Sequence, residues 1–177
     1  LNIPFDLSNG MANLSAKEVF GDKPHYIIHV PDGRFPNHEP NPLVAKNVEP
    51  LKKLVLETGA DVGVIYDGDA DRVMFVDEKE QFVAPDLVIA MMALYFCDER
   101  GARSPRVLQE IRSSKAVAEY VQRYDADVNP WRVGRAFAAK TPRETDGLWS
   151  GELAAHYYFK EFFYSDSGLL ASTIVPP

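Results

Sequence analysis

Hydrophobic and polar positions along the chain change period repeatedly, and each change predicts an element. Leu1 to Asp6 reads as a short strand, Ser8-Asn9-Gly10 as a turn, and the residues beyond it as a helix reaching about Phe20. His25 to Val30, rich in β-branched and aromatic residues, predicts a second strand. Pro31 to Pro42 mixes prolines with a glycine and asparagines and reads as a shaped loop. Leu43, Val44, Val48, Leu51, Leu54 and Val55 lie near helical spacing, so Leu43 to Glu57 predicts a helix that Gly59 stops. Asp61 to Tyr66 predicts a buried strand, and Val73 to Val76 with Gln81 to Val83 predicts a hairpin about Asp77-Glu78-Lys79-Glu80. Pro85 to Arg100 predicts a helix with its proline at a tolerated early position.

Gly101-Ala102-Arg103-Ser104-Pro105 breaks the pattern, and strands and helices then restart. Val107 to Ile111 and Asp127 to Val133 predict strands, Ser114 to Tyr124 a helix, and Gly134 to Lys140 the start of another. Leu148 to Leu153 and Tyr157 to Phe159 read as extended, and Ser167 to Val175 as helical. Two successive runs of alternating strands and helices predict an α/β protein. The expected architecture is two tandem three-layer α/β/α domains with mixed, largely parallel sheets, residues 1–102 and 103–177. No short-period repeat or low-complexity tract interrupts either run.

Composition narrows the function. Apolar residues make up 46% of the 177 residues, enough to build a core. A formal net charge of −7 argues against a nucleic-acid or anionic-membrane surface, while local arginines still permit small anionic substrates. The single cysteine, Cys97, excludes an internal disulfide and lies in an apolar stretch, as a buried small hydrophobe in a reducing compartment would. No apolar run has transmembrane length and no basic leader opens the chain, so a cytoplasmic location is expected. Leu1 lies within a structured segment without an initiator Met, and Val175-Pro176-Pro177 follows a helical stretch directly, as expected of a piece of a longer protein.

The chemistry concentrates at Asp67-Gly68-Asp69-Ala70-Asp71-Arg72, directly after the apolar run Val62 to Tyr66. Three carboxylates at alternate positions repel one another, and a hard divalent cation relieves that repulsion. All-oxygen ligation suits Mg²⁺ or Ca²⁺. Arg72 adds a fork that fits phosphate. Ligands gather at the carboxyl ends of strands in α/β units, which is where this turn falls. Two other chemistries share the motif. Asp67 as nucleophile with Asp69 as acid/base would make a phosphatase or phosphotransferase of the haloacid-dehalogenase kind. Asp67, Asp69, Asp71 and Glu78 also have the carboxylate spacing of an EF-hand loop, although Arg72 occupies the position where that loop turns on glycine.

Gly151-Glu152-Leu153-Ala154-Ala155-His156 sets a carboxylate and an imidazole among apolar neighbours, a pairing suited to sugar hydroxyls and phosphate or to a plain surface turn. The Gly33 to Pro42 stretch reads as a rigid loop locked by its prolines. Arg112, Lys115, Arg132 and Arg135 form a basic set, and Arg112 and Lys115 flank a strand-to-helix junction suited to an anion. Neither a Walker loop, a dinucleotide fingerprint, a Ser-His-Asp pattern nor Cys/His zinc spacing is present.

Together these stretches resemble the α-D-phosphohexomutase family, the bacterial phosphomannomutase/phosphoglucomutase enzymes. The family's metal loop, DGDxDR, is matched by DGDADR, and its sugar loop, GEMSGH, is resembled by GELAAH at Gly151 to His156. Asp6 to Met11 resembles the opening of the family's second domain, and Phe35 to Pro42 that domain's proline-rich loop. The resemblance implies domains II and III of a four-domain enzyme. It also implies that the phosphoserine of domain I and the phosphate-binding domain IV are absent from this chain. It implies Mg²⁺ on Asp67, Asp69 and Asp71, with Arg72 contacting the transferred phosphoryl group. Arg112 aligns with a lysine that contacts substrate phosphate, Glu152 with the residue binding sugar hydroxyls, and His156, Arg135 and Lys115 fall on the substrate side. The implied substrates are mannose or glucose 1- and 6-phosphates, with the 1,6-bisphosphate as intermediate, and the chain alone is expected to be nearly inactive. Ala154 replaces the family's sugar-loop serine, Ala155 the glycine after it, and Gly134-Arg135 stands where Gly-His is common, so sugar preference is the property these departures touch.

Overall fold

The computed structural model describes residues 1–132, 134 and 140–175. They form two compact units, Leu1–Val83 and Ala84–Pro177.

The first unit is built on a five-stranded sheet of order β2-β1-β3-β4-β5, comprising β1 (Phe5–Asp6), β2 (Tyr26–Ile27), β3 (Val62–Tyr66), β4 (Val73–Asp77) and β5 (Phe82–Val83). β1 pairs parallel with β2 and β3, whereas β3–β4 and β4–β5 are antiparallel. Only two residues of the predicted first strand pair as a strand, because Pro4 has no N–H to give; its carbonyl still accepts from Val64 at 3.0 Å. Helix α1 (Ala16–Phe20) is short, and α2 (Ala45–Thr58) is the long helix that the apolar spacing predicts. Gly59 ends α2 in a left-handed conformation with φ 59°, and Ala60 N–H then reaches back to the Val55 carbonyl at 3.0 Å. α2 lies so close on β3 that a Cβ at Gly63 would stand 2.7 Å from Val55 Cγ2. Val48, Leu51, Val55, Val64, Ile65 and the β4 residues Val73 to Val76 are buried around this contact.

The second unit carries a five-stranded sheet of order β10-β9-β8-β6-β7. Its strands are β6 (Arg106–Glu110), β7 (Asp127–Trp131), β8 (Trp149–Gly151), β9 (Tyr157–Phe159) and β10 (Ser165–Asp166). β6 pairs parallel with β7 and β8, and β8–β9 and β9–β10 are antiparallel. Both sheets are therefore mixed, with the parallel pairs making up half of each. β7 tolerates Pro130 because, among the described residues, it is an edge strand of its sheet. The helices are α3 (Pro85–Ala93), α4 (Lys115–Val121), α5 (Lys140–Thr145) and α6 (Gly168–Ile174). α3 widens into a π-helical turn over Leu94–Glu99, which is where the predicted helix to Arg100 loses α geometry. The predicted helix start at 134–140 falls largely outside the described residues; α5 begins at Lys140.

The division at Val83/Ala84 lies upstream of the break expected at residues 102/103. α3 accounts for the difference. The Ile89 carbonyl accepts the Trp149 indole N–H at 2.9 Å, Asp86 accepts the Ser114 N–H at 3.0 Å, and Phe96 stacks on Trp149 with centroids 5.0 Å apart. Those partners all belong to the second sheet's unit. The Gly101–Pro105 stretch is thus a connection within that unit; its glycine and proline mark a turn, which is all that such composition encodes.

Candidate functional site

The carboxylate turn spans the antiparallel strands β3 and β4, whose last pairing is Tyr66 with Val73. Ala70 adopts φ 65°, the left-handed bend that brings the alternate carboxylates round. Asp67, Asp69 and Asp71 each offer an oxygen, and these oxygens lie within 4.8 Å of one another. Asp67 is buried, Asp71 half-buried and Asp69 exposed, so the cluster opens to solvent on one side. Asp67 accepts from Arg72 twice, from Nε at 2.6 Å and from the backbone N–H at 3.3 Å. Arg72 is thereby fixed against the buried end of the cluster, with Asp71 at 3.9 Å from the same Nε. Three carboxylate oxygens this close together suit a hard divalent cation. Glu78 lies beyond β4 in an exposed turn beside Lys79 and outside this cluster.

The backbone behind the turn is held from the N-terminal segment. Ser8 Oγ donates to the Tyr66 carbonyl at 2.6 Å, and Met11 N–H donates to the Gly68 carbonyl at 2.9 Å. Gly10 passes so close that a Cβ there would stand 2.6 Å from Gly68 O. Ser8 is in turn fixed by its N–H to Asp6 Oδ1 at 2.9 Å. The other Asp6 oxygen faces His38 Nε2 at 3.1 Å, while His38 Nδ1 faces the Glu39 carbonyl at 2.9 Å. Each ring nitrogen thus faces an oxygen, an arrangement that favours the doubly protonated ring. The hydrogen bond to Asp6 is the main cause that raises the His38 pKa above its ordinary value, against the opposing effect of burial.

A histidine pKa raised by folding stabilises fully below the unfolded value, near about 6.5, and that stabilisation is lost as pH rises through the folded value. Thermal melts from about pH 6 to about pH 9 should therefore show a falling Tm, and His38→Gln should lower the Tm at the acid end and flatten this dependence. An unchanged pH slope in the variant would show that the pair does not carry it.

In the second unit the GELAAH segment leaves β8 and returns into β9. Gly151 lies against α3, where a Cβ would stand 2.5 Å from Ile89 Cγ1. Ala155, fully buried at φ 68°, occupies the left-handed position at which the resemblance leads one to expect glycine. Its N–H bonds the Glu152 carbonyl at 2.9 Å, and Glu152 N–H bonds the His156 carbonyl at 3.0 Å, closing the loop on itself. Glu152 is buried and its Oε1 has no hydrogen-bond partner among the described residues. Burial, reinforced by the nearby Glu110 and Asp166 charges, pushes its carboxyl pKa up, with His156 and Arg112 opposing. A buried carboxylate oxygen without a partner is a ready acceptor for a ligand hydroxyl. His156 Nδ1 meets Asp166 Oδ2 at 2.8 Å, which places a proton on that nitrogen.

Of the basic residues, Arg112 stands at the C-terminal side of β6 with its Nε on Glu110. Glu110 raises the Arg112 pKa further, leaving it permanently charged. Lys115 is exposed at the start of α4 and makes no ion pair among the described residues. Ser114 Oγ caps α4 by accepting from Ala116 at 3.1 Å, and Ser114 N–H is held by Asp86, so the junction's amides are partly taken by the protein itself. Arg135 lies outside the described residues. Asp6, His38, Glu110 and Asp166 escape the sequence reading. For Glu110 a signal exists: a carboxylate closing the apolar strand Val107-Leu108, two residues before an arginine.

Among the described residues, no helix is long and apolar enough to cross a membrane. Residues 1–80 match the family model described as phosphoglucomutase/phosphomannomutase, alpha/beta/alpha domain II, and residues 84–175 match the corresponding domain III. A phosphomannomutase of Methanocaldococcus jannaschii is 33% identical over 172 residues, covering 96% of this chain. The chain spans 38% of that relative's length. A crystal structure of a phosphoglucomutase/phosphomannomutase family protein from Burkholderia thailandensis superimposes with a TM-score of 0.89 at 26% identity, over 97% of this chain and 38% of that one. The fold is also similar, with a TM-score of 0.57 at 16% identity, to an N-acetylphosphoglucosamine mutase of Aspergillus fumigatus in complex with glucose 1,6-bisphosphate; that likeness covers 89% of this chain and 33% of the other.

Proposed function

As the chain belongs to the phosphoglucomutase/phosphomannomutase family, spanning its domains II and III, we propose that it supplies the metal-binding and sugar-recognising parts of a Mg²⁺-dependent phosphohexomutase. The reaction interconverts hexose 1-phosphate and hexose 6-phosphate, with mannose or glucose as the sugar. A phosphoserine outside this chain gives its phosphoryl group to the sugar, and the bisphosphate turns round and returns the other phosphate. The observation that carries this reading is the convergence of Asp67, Asp69 and Asp71 beside Arg72.

Asp67, Asp69 and Asp71 would hold Mg²⁺, which when bound offsets charge on the phosphoryl group being transferred. Asp67 acts as a ligand, its charge shared between the metal and the Arg72 guanidinium. Arg72, anchored through Nε, directs its remaining N–H groups to phosphate oxygens. Glu152 accepts hydrogen bonds from sugar hydroxyls through its unpartnered oxygen, and His156, held by Asp166, presents an oriented imidazole. Arg112, Lys115 and Arg135 supply positive charge for the substrate's phosphate. The setting is cytoplasmic, and the partners are hexose phosphates together with domains I and IV of the parent enzyme.

Glu78→Gln should leave Mg²⁺ affinity unchanged within about twofold in a calorimetric titration, since Glu78 stands outside the carboxylate cluster. A large loss, with Ca²⁺ preferred, would replace the mutase with a calcium-stabilised module. The decisive experiment expresses the complete reading frame containing this chain and follows mannose 1-phosphate and glucose 1-phosphate by ³¹P NMR with Mg²⁺ and trace hexose 1,6-bisphosphate. Appearance of the 6-phosphate is the expected result, with no turnover by the isolated chain. Release of inorganic phosphate would overturn it in favour of a phosphatase.

A further inference from the structure

We infer that Glu110 is a positioning residue that locks the cation Arg112 and the sugar loop into one unit; the inference rests on the phosphohexomutase reading. Glu110 is the last residue of β6, which lies between β8 and β7 in the second sheet, and is 0% exposed. A charge buried that deeply is tolerated only when its oxygens are met. Each oxygen is met by a different part of the site. Oε1 accepts from Arg112 Nε, and Oε2 accepts from the Leu153 N–H at 3.0 Å. Leu153 directly follows Glu152, so the same carboxylate that tethers the phosphate-facing cation also tethers the sugar-facing acid.

The tether is asymmetric in a useful way. Arg112 is held through Nε alone, and its terminal NH₂ groups have no partner among the described residues. Its side chain is 54% exposed, so those groups face solvent and any incoming anion. The turn beyond Glu110 is closed by Ser113 N–H on the Glu110 carbonyl at 2.8 Å, which shortens the reach between strand and cation. A hexose phosphate bound between Arg112 and Glu152 would thus meet a fixed separation set by one rigid side chain. That separation selects for the distance between a phosphate and the sugar hydroxyls, which makes Glu110 a determinant of substrate geometry that never touches substrate.

Glu110→Gln is the informative change, because it keeps shape but turns one of the two acceptors into an NH₂ group facing a donor. In the complete enzyme the KM for hexose 1-phosphate should rise about tenfold to a hundredfold, with kcat changed much less. In an Arg112→Ala background the same substitution should raise KM less than it does alone, because only the Leu153 tether is left for it to disturb. Arg112→Ala alone, made at a largely exposed side chain, should shift the Leu153 amide resonance in the ¹⁵N-labelled chain; this tests the shared carboxylate even if Glu110→Gln fails to fold. Equal KM values, or a Leu153 amide indifferent to Arg112, overturn the inference and leave the mutase reading standing. A wild-type enzyme that isomerises no hexose phosphate overturns the mutase reading and the inference with it.

Discussion

Asp67→Asn is expected to lower the Mg²⁺ affinity of the chain at least about a hundredfold and turnover of the complete enzyme about a thousandfold. Asp67 is the buried member of the carboxylate cluster and the one that fixes Arg72. The asparagine keeps an oxygen for Arg72 Nε, so the turn can retain its shape. What it loses is charge: the ligand set falls from three carboxylates to two, and its amide NH₂ faces the Arg72 backbone N–H that Asp67 Oδ1 now accepts. Metal affinity and turnover should fall together. Calorimetric Mg²⁺ titration beside the ³¹P assay separates the alternatives. Loss of turnover with Mg²⁺ still tightly bound would make Asp67 a nucleophile, and unchanged affinity would remove the cluster from the metal site altogether.

Gly10→Ala is expected to destabilise the first unit by about 2 kcal/mol and to weaken Mg²⁺ binding about tenfold, although Gly10 contacts no ligand. An added Cβ would stand 2.6 Å from Gly68 O and 3.0 Å from Asp67 O. Both atoms are backbone, so no side-chain rotation relieves the clash; either the metal turn moves or the 8–11 segment does. Movement of the turn displaces Asp67, and movement of the segment strains the Met11 N–H to Gly68 carbonyl bond. Urea unfolding gives the stability change and calorimetry the affinity. A variant that unfolds and binds Mg²⁺ as the parent does would show that the turn is shaped by β3 and β4 alone.

The parts of the site legible in the sequence are those that are local along the chain. Asp67 to Arg72 is a contiguous turn between two apolar runs, so its chemistry and its place at a strand end follow from neighbours in sequence. GELAAH is local in the same sense, and its loop does close on itself through Glu152, Ala155 and His156. What could not be read is what sheet topology brings together. Asp6 meets His38 across the loop beside β2, and Glu110 reaches Leu153 because β6 and β8 run parallel. Such pairings depend on which strands become neighbours, and a single sequence carries no local mark of that. α3 shows the same limit: its proline and apolar positions encode a helix, but its attachment depends on Trp149 and Asp86 finding partners far along the chain.

The sheet margins bear on how these units behave at high concentration. β2 and β5 border the first sheet and β10 one side of the second, and each is two residues long. The remaining border, β7, is interrupted by Pro130, which has no N–H to offer an approaching strand. Strand-by-strand polymerisation needs a continuous row of unpaired donors and acceptors. Among the described residues none of the four borders provides a long one, so both sheets are poorly suited to templating fibrils.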